Sequence, residues 1–192
     1  MPLYIPEGYR NILGSLENTE KAIKAVKDMF QDNLAAQLAL LRVTAPMVVM
    51  SGTGLNDELN GVERPVAFPV KGMASRQAEV VHSLAKWKRL KLAQMNVPAG
   101  RGIYTDMNAL RPDEELDNIH SIYVDQWDWC KIITREQRTE EYLKATVQDI
   151  ISALCDTLDD VKAKYPAVTT EIERKVTFIT TQELEDLYPG KT

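Results

Sequence analysis

Cysteine is scarce in this 192-residue chain, and long apolar runs and an excess of positive charge are absent. The two cysteines, Cys130 and Cys155, are too few for a disulfide framework and lack the spacing of a metal site. No stretch approaches the roughly 18 to 20 apolar residues of a membrane span, and residues 1–10 lack a signal-peptide pattern. The net charge of −5 argues against wide contact with nucleic-acid phosphates. We therefore expect a cytoplasmic protein that binds neither membrane nor nucleic acid.

The hydrophobic share of 44% and the charged share of 27% are typical of a globular protein with a real core. The length fits one domain over residues 1–192. Apolar residues at helical spacing predict one long amphipathic helix over residues 16–41. The β-branched run over residues 42–49 then predicts a strand that contains Pro46. Because proline cannot donate to a strand ladder, we expect Pro46 at a sheet edge or an interface.

The remaining pattern mixes short strands with helices. A possible capping box of Thr134 and Gln137 predicts the start of a second long helix, and Thr180 and Glu183 predict the cap of a last one. This order favours an α+β domain, with a mostly antiparallel sheet flanked by long helices. The other predicted elements are strands over residues 66–70, 79–82, 103–111, 120–132 and 176–179, and a helix over 84–95.

Neither histidine has the neighbours of a metal ligand. His82 and His120 lack a nearby cysteine or an HExxH partner, so we expect a hydrogen-bonded histidine at each position and no metal site.

Two polar segments could bind anions. Residues 79–89 end a strand at His82 and Ser83 and begin a helix that carries Lys88, which suits an anion site or a solvated basic face. Residues 104–114 place Arg111 at the mouth of a loop, where a planar guanidinium could hold phosphate or carboxylate. An ion pair within the loop, with Asp113 or Glu114, explains Arg111 equally well.

A third segment, residues 120–129, alternates with a period of two. The alternation sends Gln126 and Asp128 to one face of a strand with Ile122 and Val124. Polar groups that face the interior are costly unless they meet a partner, which favours a polar binding floor over simple core. The opposite face carries Tyr123, Asp125, Trp127 and Trp129.

The phrases EVVHSLAKWKR (79–89), ALRPDE (109–114) and HSIYVDQWDW (120–129) resemble the signatures of ammonia-dependent asparagine synthetases. The resemblance implies the catalytic fold of class II aminoacyl-tRNA synthetases. The long helix and the Pro46 strand are similar to motif 1, which forms a homodimer in such proteins. The strand that ends at Arg111 is similar to motif 2, although Arg-Pro-Asp replaces the usual Arg-x-Glu. The family continues into a third motif, so we interpret this chain as an amino-terminal portion, truncated before motif 3.

The resemblance also implies a reaction and a set of site residues. Such enzymes make asparagine from aspartate, ATP and ammonia through a β-aspartyl adenylate, and they release AMP and pyrophosphate. Arg111 would hold the α-phosphate and the reacting carboxylate, and Asp57 would hold the substrate ammonium. Lys88 and Gln126 would fix the α-carboxylate. Ser121 and the backbone near Ile119 would line the nucleotide side, and the further substrate candidates are His82, Ser83 and Asp128. Magnesium ligands are expected in the missing carboxy-terminal part.

Two alternatives stay open. A related synthetase could form an α-adenylate and charge tRNA, although no anticodon-binding module precedes the domain. A non-catalytic dimerisation or amino-acid-binding module could also be built from half of the fold. Without a second cation and a magnesium-holding acidic pair, we expect the 192 residues alone to be inactive.

Overall fold

The computed structural model describes residues 4–57, 59–73 and 76–191. The chain divides into two compact units, Met1–Gly14 with Leu38–Thr134 and Ser15–Gln37 with Arg135–Thr192. In chain order the elements are α1 (Leu16–Leu38), β1 (Leu40–Arg42), β2 (Val48–Met50), β3 (Ala67–Pro69), β4 (Gln77–Val80), α2 (Ala85–Gln94), β5 (Gly102–Leu110), β6 (Tyr123–Lys131), α3 (Glu140–Lys164) and α4 (Thr181–Leu187). The mixture of mostly antiparallel strands with long helices confirms the predicted α+β class.

The first unit contains two three-stranded sheets. One has the order β1-β5-β6, in which β1 runs parallel to β5 and β5 runs antiparallel to β6. The other is antiparallel, with the order β2-β4-β3. Helix α2 packs against β5 and β6. Two clusters of buried apolar side chains lie in this unit: Val49, Val81, Leu84, Met107 and Ala109 in one, and Val43, Leu92 and Ile103 in the other.

The prediction of one strand through Pro46 is wrong. The backbone N–H of Val43 still donates to the Tyr104 carbonyl at 2.9 Å, and the chain then leaves the first sheet. It enters the second sheet as β2, which begins two residues after Pro46. Since Pro46 has no N–H to donate, it lies in the irregular segment between two short strands.

The first helix ends earlier than its apolar pattern predicts. Ala39 has a φ of 56°, which is left-handed and stops α1 at Leu38. Leu40 and Leu41 therefore belong to β1, where their backbone pairs with β5. A helical spacing of apolar residues does not separate the last turn of a helix from an adjacent strand.

In the second unit, side-chain caps fix where two helices begin. Thr139 caps α3 and accepts from the Tyr142 N–H at 3.2 Å, so the predicted cap at Thr134 is wrong. Thr180 and Glu183 form the predicted capping box of α4, which is confirmed. Between α1 and α3, the Asn33 side chain donates to the Thr157 hydroxyl at 3.0 Å.

The predicted strand over 176–179 is also wrong, because this segment finds side-chain partners on α3. Gln148 donates to the Arg174 carbonyl at 2.6 Å and accepts from the Val176 N–H at 3.3 Å. Within the described part of the chain, no helix is both long enough and apolar enough to cross a membrane.

Candidate active site

Side chains and backbone from residues 50–57 and 61–65, together with Glu79 of β4, line a cavity of about 380 Å³. Three of its lining side chains, Asp57, Glu63 and Glu79, are acidic, and His82 also lines it. Such a lining favours a positively charged group over an anion. Asp57 and His82, two of the predicted substrate residues, therefore share one cavity.

Asn56 holds the cavity loop against β4. Its side-chain oxygen accepts from the His82 N–H at 2.9 Å, and its amide donates to the Glu79 carboxylate at 3.1 Å. The backbone carbonyl of Asn56 also accepts from the Lys86 ammonium at 3.4 Å. Sequence reasoning did not single out Asn56, although an amide that can both donate and accept suits a loop that must dock on a strand end.

Arg64 connects the loop to two other parts of the first unit. Its carbonyl lies 3.1 Å from Nε2 of His82, which is 1% exposed, so that ring nitrogen carries the proton. Its guanidinium forms an ion pair with Asp113, and its backbone N–H donates to the same carboxylate at 3.2 Å. The pair lowers the pKa of Asp113 and raises the pKa of Arg64. Sequence reasoning did not find Arg64.

Arg111 follows β5 and lies at a second cavity, of about 490 Å³. Its backbone N–H donates to the Ile122 carbonyl at 2.8 Å, which fixes where the side chain begins. Its Nε is buried and has no hydrogen-bond partner among the described residues. The alternative of an ion pair with Asp113 or Glu114 does not hold among the described residues, because Asp113 pairs with Arg64 and no salt bridge joins Arg111 to Glu114. The arginine is therefore suited to an anion. The cavity is lined by Leu59, Asn60, Glu63, Arg111, Pro112, Asp113 and Glu114.

Lys88 and Asp128 form a buried ion pair between α2 and β6. The Lys88 ammonium donates to the Asp128 carboxylate and to the Trp129 carbonyl, the latter at 3.0 Å. The second oxygen of Asp128 accepts from the Leu84 N–H at 3.3 Å, just before α2 begins. Burial lowers the pKa of Lys88 to about 8, while the Asp57 carboxylate acts in the opposite direction. Lys88 thus lies within electrostatic reach of the loop that lines the first cavity.

The register of β6 on β5 confirms the predicted alternation. Gln126 pairs with Met107 and Asp128 pairs with Thr105, and both of these β5 residues are buried. The Gln126 amide also contacts the Met107 sulfur at 3.4 Å. Polar side chains therefore lie on the inner face of this sheet.

The three remaining predicted residues have local roles. The Ser83 hydroxyl accepts from the Ala85 N–H at 3.2 Å as α2 begins. Ile119 is 86% exposed, and its N–H donates to Asp117 at 2.8 Å. The Ser121 hydroxyl accepts from the Tyr123 N–H at 3.2 Å at the start of β6. Of the predicted site residues, Asp57 and His82 line the first cavity and Arg111 lines the second, whereas the others line neither.

Comparison with known proteins shows which family the chain belongs to. A family model described as aspartate-ammonia ligase matches residues 17–192. The chain belongs to the aspartate–ammonia ligase family. This confirms the resemblance to ammonia-dependent asparagine synthetases that the three sequence phrases indicate.

Curated relatives in the ligase family are highly similar. The aspartate–ammonia ligase of Clostridium perfringens (strain ATCC 13124) is 56% identical over 190 residues, covering 99% of this chain and 56% of the relative. That of Bacteroides thetaiotaomicron is 53% identical over 185 residues, covering 96% and 53%. The chain spans about half the length of these relatives.

Among solved structures, a pyrrolysyl-tRNA synthetase from Desulfitobacterium hafniense matches with a TM-score of 0.45 and 11% identity. The match covers 72% of this chain and 52% of that one. A second structure of a pyrrolysyl-tRNA synthetase from the same organism has a TM-score of 0.44. The assignment to the ligase family rests on the sequence matches alone.

Proposed function

We propose that this chain carries the aspartate side of an ATP-dependent aspartate–ammonia ligase. The reaction would join aspartate and ammonia through a β-aspartyl adenylate, with release of AMP and pyrophosphate. The observation that carries this proposal is the guanidinium of Arg111, which forms no ion pair with a described residue and lines a cavity that shares Glu63 with the acidic cavity of Asp57. One arginine for anions thus lies next to a cavity for a cation, which suits an amino acid that is activated at its side chain.

Arg111 would neutralise charge on the reacting groups. The β-carboxylate of aspartate and the α-phosphate are both anionic, so their approach needs a cation already in place. The Arg111 side chain is partly exposed and forms no ion pair with a described residue, so its terminal nitrogens could donate to such an oxygen without first breaking a salt bridge.

Asp57 would bind the substrate ammonium. It lies in a cavity whose acidic lining attracts a positive group. Glu79 already accepts from Asn56, so its orientation is fixed by the loop. The His82 ring already forms a hydrogen bond with the Arg64 carbonyl. We propose that His82 shapes this cavity.

Lys88 and Gln126 would fix the α-carboxylate, and Asp128 would orient Lys88. The Lys88 ammonium has three protons and uses two on Asp128 and the Trp129 carbonyl, which leaves one for a substrate oxygen. Ser83 would hold the start of α2 in place. Ser121 and the backbone near Ile119 would line the nucleotide side.

We propose that Arg111 would hold the α-phosphate of ATP at the second cavity. Two of the three carboxylates that line this cavity already have partners: Asp113 pairs with Arg64, and Glu63 accepts from the Asn60 side chain and the Val62 N–H. Bound Mg²⁺ supplies neutralisation of the remaining phosphate charge. Across residues 4–57, 59–73 and 76–191, no three His, Cys, Asp or Glu side chains lie close enough together to hold a metal ion. We therefore propose that the magnesium ligands belong to the part of the family's length that this chain does not span.

A homodimer through α1 and the segment around Pro46 is part of the proposal. Exposed apolar side chains lie in both places, including Ile23 on α1 at 49% exposed and Met47 beside Pro46 at 53%. Apolar surface of this kind favours association. Analytical ultracentrifugation of the purified protein should give twice the chain mass, and a single-chain mass at micromolar concentration would contradict this.

The protein at the full length of its family is here called the full-length ligase. Aspartate-dependent ATP–pyrophosphate exchange tests its activity. We expect exchange, and we expect ammonia rather than tRNA to accept the acyl group. Transfer to tRNA would favour the related synthetase, and aspartate binding without exchange would favour a non-catalytic module. The 192-residue chain alone should form no asparagine above a control without enzyme.

Arg111→Ala in the full-length ligase tests the residue that carries the proposal. Loss of a preorganised charge contact costs roughly 3 kcal/mol in the barrier, so exchange should fall by about a hundredfold. Arg101→Ala is the matched control, because it removes the same charge from an exposed position before β5. Exchange within a few-fold of the unmodified enzyme would remove Arg111 from the site.

A further inference from the structure

Two arginines could form an ion pair with the Asp113 carboxylate. Arg111 is two residues away and lines the same cavity, and Arg64 is 49 residues away in sequence. Arg64 takes it: its guanidinium Nε lies 3.1 Å from one carboxylate oxygen, and its backbone N–H donates to the same oxygen at 3.2 Å. Arg111 forms no ion pair with any described residue, and its buried Nε is without a partner there.

The geometry of Arg64 explains why it holds Asp113. The His82 ring holds the Arg64 carbonyl at 3.1 Å, so the backbone from which the guanidinium extends is fixed. The backbone N–H and the guanidinium of Arg64 both donate to the Asp113 carboxylate. The acceptor positions of Asp113 are therefore largely occupied. Because the Arg64 side chain is 78% exposed, the pair adds little to stability. The consequence of the pair is that Asp113 is bound by Arg64, while Arg111 has no ion pair with a described residue.

We propose that Arg64 is a positioning residue that occupies Asp113 and so keeps the guanidinium of Arg111 available to an anionic substrate. Without Arg64, the Asp113 carboxylate would compete with that anion for Arg111, since both groups line one cavity. The identity of the anion as a phosphate of ATP rests on the proposed function. The competition between the two arginines does not.

The proposal predicts a pattern across four variants of the full-length ligase. Calorimetry with inorganic pyrophosphate, and the KM for ATP in the exchange assay, should agree on this pattern. Arg64→Ala should weaken pyrophosphate binding and raise this KM by roughly fivefold, the size of a partly exposed ion pair, with kcat changed less. Asp113→Asn should stay near the unmodified protein, because it removes the competitor. Arg64→Ala with Asp113→Asn should return to that level, and Arg64→Lys should keep most of the affinity.

Rescue by the second substitution separates this role from a structural tether. If Arg64 only fixed the loop, Asp113→Asn would harm binding as much as Arg64→Ala does, and the double variant would be no better. Arg42→Ala is the matched control, because it breaks an Arg–Asp pair of comparable exposure, with Asp106, which lines neither cavity. It should leave pyrophosphate affinity unchanged.

The outcomes also separate this inference from the proposed function. Absence of exchange in the unmodified protein, together with the expected pyrophosphate pattern, would refute the ligase activity and keep the role of Arg64. Normal exchange with no rescue in the double variant would refute the role of Arg64 and keep the ligase activity. Failure of the unmodified protein to bind pyrophosphate would overturn the inference as well.

Discussion

The ammonium of Lys88 and the carboxylate of Asp128 are paired in the interior, with side-chain exposures of 4% and 16%. The pair joins α2 to β6, and the Leu84 N–H donates to the other Asp128 oxygen. A buried charge that loses its partner keeps the cost of its burial. This pair therefore links α2 to β6 within the first unit.

Asp128→Asn should destabilise the protein by roughly 3 kcal/mol, because Lys88 would stay buried without its counter-charge. Asp125→Asn, on the other face of the same strand, is the matched control and should cost well under about 1 kcal/mol. The free energy of unfolding in urea measures both. Equal values for the two variants would mean that the ion pair contributes little.

Aspartate binding should weaken as the pH rises through 8. Burial lowers the pKa of Lys88 to about 8, so the ammonium is charged below this pH and becomes neutral above it. A neutral lysine cannot attract the α-carboxylate. At pH 9 about one tenth of Lys88 stays charged, and the affinity should fall by roughly tenfold from its value at pH 7. Calorimetry with aspartate checks this, and a flat profile from pH 7 to 9 would remove Lys88 from the carboxylate site.

Asp57→Asn should weaken aspartate binding while ATP binding stays nearly unchanged. A hydrogen bond to a charged group contributes about 1.5 to 3 kcal/mol, so aspartate affinity should fall by at least about tenfold. Asp28→Asn is a suitable control, because Asp28 pairs with Lys24 on the surface of α1. Calorimetry with each ligand separates the two effects. An unchanged aspartate affinity would place the ammonium site elsewhere.

Gly102→Ala should destabilise the first unit strongly. A Cβ at this position would overlap the Cys130 carbonyl oxygen and lie 2.8 Å from the Lys131 Cα, and strand backbones cannot move easily in a sheet. We expect a loss of about 3 kcal/mol or more in the free energy of unfolding. Gly8→Ala is the comparison: it meets no atom within 4 Å but has a φ of +76°, so it should cost only about 1 kcal/mol. Similar losses for both would show that space around Gly102 does not matter.

Local sequence rules predicted much of the fold. The alternation in residues 122–129 gave the two faces of β6, because strand side chains alternate whatever the strand pairs with. The capping box of Thr180 and Glu183 was equally predictable, since both partners lie within one helical turn. The family resemblance singled out Asp57 and Arg111, which the structure places in two cavities that share Glu63.

The failures are of a different kind. The residue that caps α3 is Thr139 and not Thr134. Both threonines precede the helix, and the local sequence does not show which one caps it. Strand pairing over long separations divides the Pro46 segment between two sheets. The pair of Arg64 and Asp113 also joins residues 49 positions apart. No local sequence pattern shows which distant residues will pair, so only the folded structure identifies these partners.

The register of β6 limits how this protein can change in evolution. Its nine residues pair one for one with β5, so loss of a single residue between Tyr123 and Gln126 would turn Trp127 and Trp129 inward and Gln126 and Asp128 outward. Loss of two residues would restore the faces but move the carboxylate along the strand by about 7 Å. Homologues should therefore exchange side chains along this strand far more readily than they gain or lose a residue in it.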